Sequence, residues 1–318
     1  MNGDPSQFEE PILEIRRQIE EVSAAAEGDP GKDAEIQRLR EKLTKVSREI
    51  YAKLTPWQKT LVARHPARPY TLDFVSSLFE DFTEIHGDRK FSDDGAVVTG
   101  FGKFQGFPCA IVGHQKGRNT KEKVTRNFGQ PRPEGLRKAL RLMKMAEKFQ
   151  LPIFSFIDTQ GASPGVGAEE RGQAEAIAMN LREMAGLRVP IIVMIIGEGG
   201  SGGALALGVG DRILMLENAV YSVISPEGCA AILWKNPAAA QDAAAAMKIT
   251  AQDLKKMGII DEIVPEPVGG AHTDPSAAAE MLKPFMEKAL KELQKIKGPL
   301  LPEERYKKFR KMGVFERT

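Results

Sequence analysis

Apolar residues recur at helical spacing from the start of the chain. Ile12, Ile15, Ile19 and Val22 mark one amphipathic helix, and Ile36, Leu39, Leu43, Val46 and Ile50 alternate 3-4-3-4 as an a/d seam. Between them the breaker segment Glu27–Asp33 carries Gly28, Pro30 and Gly31, so the two stretches read as a helical hairpin. Helices this short need a surface to pack on, and the pattern fits the chain's own core as well as another subunit. His65–Tyr70 holds two prolines and ends the pattern. Thr71 then stands where an N-cap belongs, ahead of an amphipathic helix over Leu72–Ile85.

From about Ala96 short β-branched runs alternate with helical ones. Ala96–Phe101 and Cys109–Gly113 read as paired strands around the turn Gln105-Gly106, followed by a helix over Glu134–Phe149. Strand Ile153–Ile157 runs into a Gly-rich loop and a helix over Glu169–Ala185; strand Ile191–Ile196 runs into a second Gly-rich loop and a short helix over Gly203–Val209. Strands Ile213–Leu216 and Tyr221–Ile224 follow, then helices over Pro226–Trp234, Ala238–Met247 and Ala251–Met257 (capped by Thr250), strand Ile259–Val264 and a last long helix over Pro275–Lys295. Repeating strand, Gly-rich turn and helix is the pattern of a layered α/β fold whose turns meet along one edge.

Composition narrows the class. The 318 residues are 42% hydrophobic and 28% charged with a net charge of +2, which is ordinary for a globular protein. Cys109 and Cys229 stand alone, and His65, His86, His114 and His272 are scattered, so neither a disulfide framework nor a metal motif is legible, and no metal is expected. Met1–Glu10 has no basic-then-apolar leader pattern, and the longest apolar run, Val189–Ile196, is broken by Pro190. A membrane span needs about 18 apolar residues. A cytoplasmic protein with no membrane contact is the expectation.

The sharpest chemistry lies in Gly197-Glu198-Gly199-Gly200-Ser201-Gly202-Gly203, where five of seven residues are glycine between an apolar strand and a helix. Glycine admits positive φ and close ligand approach, and the amides that open a helix suit an anion. Two other patterns fit the same string. Gly197-x-Gly199-x-x-Gly202 with Glu217 twenty residues on matches a dinucleotide fingerprint, the mark of an NAD-dependent oxidoreductase, though Gly208 and Gly210 leave only a short helix for it. Gly199-x-Ser201-x-Gly203 matches a nucleophile elbow, but only His272 follows as a base. The loop Asp158–Gly172 would form a second wall. Between Lys116 and Lys148 eleven Lys or Arg face three Glu, which reads as a solvated face or as attraction for an anionic ligand such as coenzyme A. Nucleic acid is the weaker reading, because Phe128 is the one aromatic residue inside the stretch.

His65–Asp73 (HPARPYTLD), Gly113–Lys123 (GHQKGRNTKEK), Ala168–Gln173 (AEERGQ), Gly197–Gly203 (GEGGSGG) and Tyr221–Ala230 (YSVISPEGCA) together resemble the α-subunit family of bacterial acetyl-CoA carboxylase carboxyltransferase, and Ile249–Pro265 resembles the matching part of crotonase-superfamily proteins. The resemblance implies an α/β crotonase-type fold of stacked ββα units over 71–296, with an N-terminal helical hairpin in 1–70 and a basic tail at 297–318. It implies transfer of carboxyl from carboxybiotin, on the biotin carboxyl carrier protein, to acetyl-CoA, giving malonyl-CoA for fatty-acid synthesis, with no cofactor bound by this chain. It implies a zinc-ribbon β subunit in an α2β2 assembly, with biotin carboxylase and its ATP chemistry elsewhere in the holo-complex. By the same resemblance the N–H groups of Gly202 and Gly203 stabilise the biotin-derived anion, Gly161, Ala162, Gly165, Val166 and Gly167 line the pocket, and Arg118 contacts the carboxylate. Where the family has D-T-P-G-A-Y-P-G, this chain has Gln160 for the proline and Ser163 for the tyrosine.

Overall fold

Continuous apolar runs such as Ile153–Ile157 and Ile191–Ile196 require burial on both faces, and they become the middle of one large sheet. The computed structural model describes residues 7–24 and 30–313, so the first residues of the chain, the first part of the Glu27–Asp33 breaker and the end of the tail lie outside the described residues. Among the described residues the strands are β1 (Phe79–Glu84), β2 (Val97–Phe104), β3 (Phe107–His114), β4 (Ile153–Thr159), β5 (Ile191–Gly200), β6 (Arg212–Leu216), β7 (Val220–Ser222) and β8 (Glu262–Val264). Their order is β1-β2-β3-β4-β5-β6-β8, with β7 paired to the end of β5. The β1–β2 and β2–β3 pairs are antiparallel and the rest parallel.

The helices are α1 (Glu10–Ala24), α2 (Pro30–Tyr51), α3 (Pro56–Ala63), α4 (Thr71–Leu78), α5 (Thr120–Thr125), α6 (Pro133–Lys148) and α7 (Val166–Glu170) in the first half. They continue with α8 (Gln173–Gly186), α9 (Ser201–Leu205), α10 (Pro226–Trp234), α11 (Ala240–Met247), α12 (Ala251–Lys256), α13 (Pro275–Leu293) and α14 (Leu301–Arg310). Leu142 and Met143 on α6 pack with Phe154, Phe156 and Ile192–Ile196 in one continuous core.

The hairpin forms as its periodicity predicts, α1 against α2. Ile12 and Ile15 are buried, whereas the α2 seam from Ile36 to Ile50 stays half-buried. The turn at Gln105-Gly106 joins β2 to β3 with φ of 54° and 77°. That is the conformation the right-handed twist of a hairpin selects. Nothing lies within 4 Å of a Cβ added to Gly106, so Gly106→Ala tests backbone strain alone. The expected cost is about 1–2 kcal/mol, read as a lowered urea midpoint with unchanged slope.

Tertiary pairing overrides several local patterns. The helix expected over Leu72–Ile85 ends at Leu78, because Phe79–Glu84 pairs with β2 as an edge strand bulged around Asp81. Thr71 is the first helical residue rather than the cap: its Oγ1 donates to the His114 carbonyl (2.5 Å), and the Asp73 carboxylate accepts the Tyr70 N–H instead. The helix expected over Glu169–Ala185 breaks at Gly172, whose φ is 83°. Pro30–Asp33, taken as breaker, already belongs to α2. The weakly periodic tail holds α14, whose Arg305 is buried. Arg305 grips the Asp211 carboxylate (2.9 and 2.8 Å) and donates to the carbonyls of Met184, Leu187 and Val189. In doing so it ties α14 to the end of α8 and to the segment that leads into β5.

Candidate active site

β4 and β5 are parallel neighbours, so the chain leaves both at the same edge of the sheet, the usual place for a ligand in such folds. The Gly-rich string is not a loop. Gly197–Gly200 continues β5, paired with β7 and, through Gly199, with Thr159, and the turn into a helix comes at Ser201. Ser201 has φ 51°, while none of the five glycines has positive φ.

The glycines are there for close packing. A Cβ on Gly197 would collide with the Asp158 carboxylate, and one on Gly200 with the Gln160 carbonyl. At Gly199 it would lie 2.5 Å from the Tyr221 ring, and at Gly203 2.5 Å from the Ala162 nitrogen. Gly202 alone faces a yielding neighbour, the Ile177 side chain at 3.1 Å. Two of the five glycines, Gly200 and Gly203, thus bring backbone segments together, Gly197 and Gly199 admit the Asp158 carboxylate and the Tyr221 ring, and Gly202 leaves space beside the first turn of α9. The amides of Ser201, Gly202 and Gly203 open that turn and have no intrahelical acceptor.

Ser201 and Gly202 line a cavity of about 720 Å³. Gly161, Ala162 and Gly202 line it, as do Gln160 and Ser163, and Arg64 and Glu227 face them. Gly203 is buried beneath, against the Gly161–Ala162 backbone. Thr159 Oγ1 holds this turn by bonding both the N–H (3.1 Å) and the carbonyl (2.8 Å) of Gly161. Gly165, Val166 and Gly167 are not among the lining residues: they start α7, where Val166 is 75% exposed. Arg118 is also outside the lining. It bonds the Asp73 carboxylate (2.5 Å) and the Pro66 carbonyl (3.1 Å) and lies 4.6 Å over the Tyr70 ring.

Beneath the cavity runs a chain of charges that the sequence pattern did not single out. Lys116 Nζ bonds Asp158 Oδ1 (2.7 Å), which also accepts the Glu198 N–H (3.0 Å). Arg64 Nε bonds Glu198 (2.6 Å), and its Nη1 bonds Glu227 (2.5 Å). Burial would lower the Lys116 pKa, but the charges of Asp158 and Glu198 outweigh it and raise it. His114, wholly buried, is held neutral: burial, with the Lys116 charge beside it, pushes its pKa down to about 3. The available signal was a charged residue closing an apolar strand, as Asp158 and Glu198 do.

The basic stretch is largely consumed internally. Arg137 and Lys138 bond Asp88 and Asp93, Lys144 pairs with Glu183, and Arg126 and Arg141 donate to backbone carbonyls. What stays exposed of it includes Lys121 on α5 and Lys144 and Lys148 on α6. The fold also gathers Glu9, His65 and His272, whose ligand-type atoms lie within 4.8 Å of one another. The two imidazoles stack at 3.9 Å with 29° between their planes.

A family model described as "Acetyl co-enzyme A carboxylase carboxyltransferase-like" matches residues 5–313. The chain belongs to this family. It is 58% identical over 310 residues to the acetyl-coenzyme A carboxylase carboxyl transferase subunit alpha of Syntrophotalea carbinolica, covering 97% of this chain and 98% of that one. It is 54% identical over 317 residues to the protein of that name from Thioalkalivibrio sulfidiphilus, covering 99% of each. Among solved structures it is similar to transcarboxylase 12S (TM-score 0.55, 20% identity, 69% of this chain and 42% of that chain). It is also similar to a Pseudomonas malonate decarboxylase hetero-tetramer solved with coenzyme A (TM-score 0.56, 16% identity, 70% of this chain and 90% of that chain). These neighbours establish the crotonase-type fold. The oxidoreductase reading fails, because in this carboxyltransferase family member Gly197 and Gly199 of the fingerprint are strand and α9, which holds Gly202, is only five residues long.

Proposed function

We infer that this chain is the α subunit of a carboxyltransferase that moves carboxyl from carboxybiotin, borne on the biotin carboxyl carrier protein, to acetyl-CoA. The observation that carries the reading is the first turn of α9, whose amides have no acceptor within the helix and which reaches the cavity through Gly202. Breaking the N–C bond of carboxybiotin releases CO2 and leaves the electron pair on the ureido group, chiefly as negative charge on its oxygen. The N–H groups of Gly202 and Gly203 stabilise that anion. The freed nitrogen takes the acetyl α-proton, the resulting enolate attacks CO2, and the products are biotin and malonyl-CoA. No side-chain base is needed, consistent with His114 being wholly buried and, through that burial, a weak base. One oxyanion donor is worth about 2.7–4 kcal/mol in such sites.

Gly161 and Ala162 form the opposite wall for the ureido ring. Gly165–Gly167 would act from the rim, and Arg118 by holding Asp73 and the turn at Pro66 rather than by touching the carboxylate. The thioester half of the reaction falls to a β subunit that carries the zinc ribbon, in an α2β2 assembly that works with biotin carboxylase and the carrier in the cytoplasm. This chain binds no cofactor of its own. No helix among the described residues is long and apolar enough to cross a membrane.

The test is malonyl-CoA breakdown with biocytin as acceptor, using the purified chain, the β subunit and their mixture. Turnover is expected only in the mixture. A well-formed complex without turnover would overturn the assignment.

A further inference from the structure

Gln173 opens α8 directly after Gly172, whose φ of 83° turns the chain there. Its side chain lines the cavity beside α9, and the residue is 4% exposed. Nε2 donates to the Pro131 carbonyl (3.3 Å). A carbonyl can only accept, so the amide turns its NH2 toward Pro131 and its oxygen away. That oxygen, Oε1, is buried and meets no donor among the described residues. Native structures keep few unpaired buried acceptors, because each is destabilising. Among the described residues that line this cavity, Gln173 alone has a buried side-chain atom without a partner.

Its place along α8 says what it faces. Ile177 stands four residues on, on the same side of the helix, and lines the same cavity. Ile177 is also the nearest neighbour of a Cβ added to Gly202, at 3.1 Å. Gln173 is therefore about 6 Å back along the helix axis from the residue that abuts Gly202. The cavity thus sets amide donors on α9 about one helical turn from an unpaired amide acceptor on α8. The bond to Pro131 is long and the terminal torsion of a glutamine is soft, so Oε1 turns readily toward a donor seated in the cavity.

We propose that Gln173 accepts the N–H of the ureido ring and so decides which ring nitrogen is presented for transfer. The proposal rests on the transfer reading above and deepens it. A ureido group has one oxygen between two nitrogens. In the carboxylated ring one nitrogen bears the carboxyl group and the other keeps its hydrogen throughout. The oxygen calls for donors, and the remaining N–H calls for an acceptor beside them. With the oxygen on the α9 amides and the N–H on Gln173, the reacting nitrogen lies on the far side of the oxygen from α8. A ring seated the other way round would set its carboxylate against Oε1, acceptor against acceptor.

The experiment uses the full chain assembled with its β subunit. Gln173→Leu and Gln173→Met are compared with the original chain in malonyl-CoA breakdown. The acceptors are biocytin and biocytin methylated on the ring nitrogen that is not carboxylated. Calorimetric binding of biocytin and thermal melting are measured alongside. Both variants are expected to raise KM and Kd for biocytin about tenfold, with kcat and the KM for malonyl-CoA little changed, because the bond is present in ground state and transition state alike. The original chain is expected to lose a similar factor on the methylated compound, and the variants nothing further. Melting is expected to hold or rise, since an unpaired buried oxygen is removed and the Pro131 carbonyl keeps the Ser163 N–H (2.9 Å).

Biocytin binding at original affinity in both variants would overturn the proposal. So would a fall in melting with KM raised alike for biocytin and malonyl-CoA, which would make Gln173 a structural residue only. Variants that lose the methylated compound as steeply as the original does would also refute it. Calorimetry does not depend on turnover. An original complex that binds biocytin without turnover would sink the transfer reading and leave Gln173 to the comparison of affinities, whereas one that binds no biocytin would overturn both.

Discussion

Gly203→Ala is expected to destabilise the fold, whereas Gly202→Ala folds normally and loses carboxyl transfer. The two glycines are adjacent and chemically identical, so only their surroundings separate them. A methyl group at 203 would sit 2.5 Å from the Ala162 nitrogen and 2.6 Å from the Gly161 carbonyl carbon. Both are backbone atoms at the crossing of the two site segments, and neither can move without shifting β4 or β5. Overpacking of this kind costs typically 1–3 kcal/mol and more when backbone is the obstacle. At 202 the nearest obstacle is the end of the Ile177 side chain, 3.1 Å away, which can turn aside. The methyl group then occupies the space a bound ureido oxygen needs, and a loss of about a hundredfold in turnover is expected, the scale of removing one oxyanion donor. Thermal melting and the malonyl-CoA assay together check the pair. Equal melting of both variants would refute the packing account. Full activity of Gly202→Ala would remove Gly202 from the site.

Arg68→Met is expected to destabilise the chain by about 3–5 kcal/mol at neutral pH, the cost of stranding a buried charge. Arg68 binds Glu266 through Nη1 (2.9 Å) and Nη2 (2.5 Å) and donates its Nε–H to the Ile196 carbonyl (2.7 Å), and both side chains are 1% exposed. Burial alone would raise the Glu266 pKa. The Arg68 charge and hydrogen bonds, with the N–H groups of Asn218 and Ala271, overcome this and hold it at about 2. A carboxylate whose pKa is lowered by folding adds stability above its unfolded value, and that stability fades as pH falls through the folded value. The contribution of Glu266 is therefore full above about pH 4.5 and lost as pH falls toward 2. Urea denaturation from pH 7 to pH 3 should show a steeper decline for the original chain than for Arg68→Met/Glu266→Gln, which lacks the ionisable pair. Parallel curves would mean that the pair does not govern acid stability.

Both results depend on distances between segments far apart in the chain, and this marks how much was legible beforehand. Periodicity placed the hairpin helices, α6, β4, the first part of β5 and α13, because a period of 3.6 or an unbroken apolar run is a local property. It misread Phe79–Glu84, where apolar residues three apart suit a helix face and pairing with β2 decides for strand. The site was legible in part. Gly161, Ala162 and Gly202 line one cavity, whereas Arg64, Glu198 and the Lys116–Asp158 pair were invisible. Isolated charges in a sequence look the same whether they face solvent or meet underground.

By itself the sequence determined the family, the alternating α/β elements and the concentration of backbone chemistry in Gly197–Gly203, since each is written in consecutive residues. The tertiary structure alone decided what those glycines do. Their lack of side chains lets β5 close onto Asp158, Gln160, Ala162 and Tyr221, which come from other parts of the chain. It alone also turned most of the basic stretch inward. A cation beside a buried carboxylate is far more stabilised than one in water, but which carboxylate it meets depends on the packing of the whole sheet.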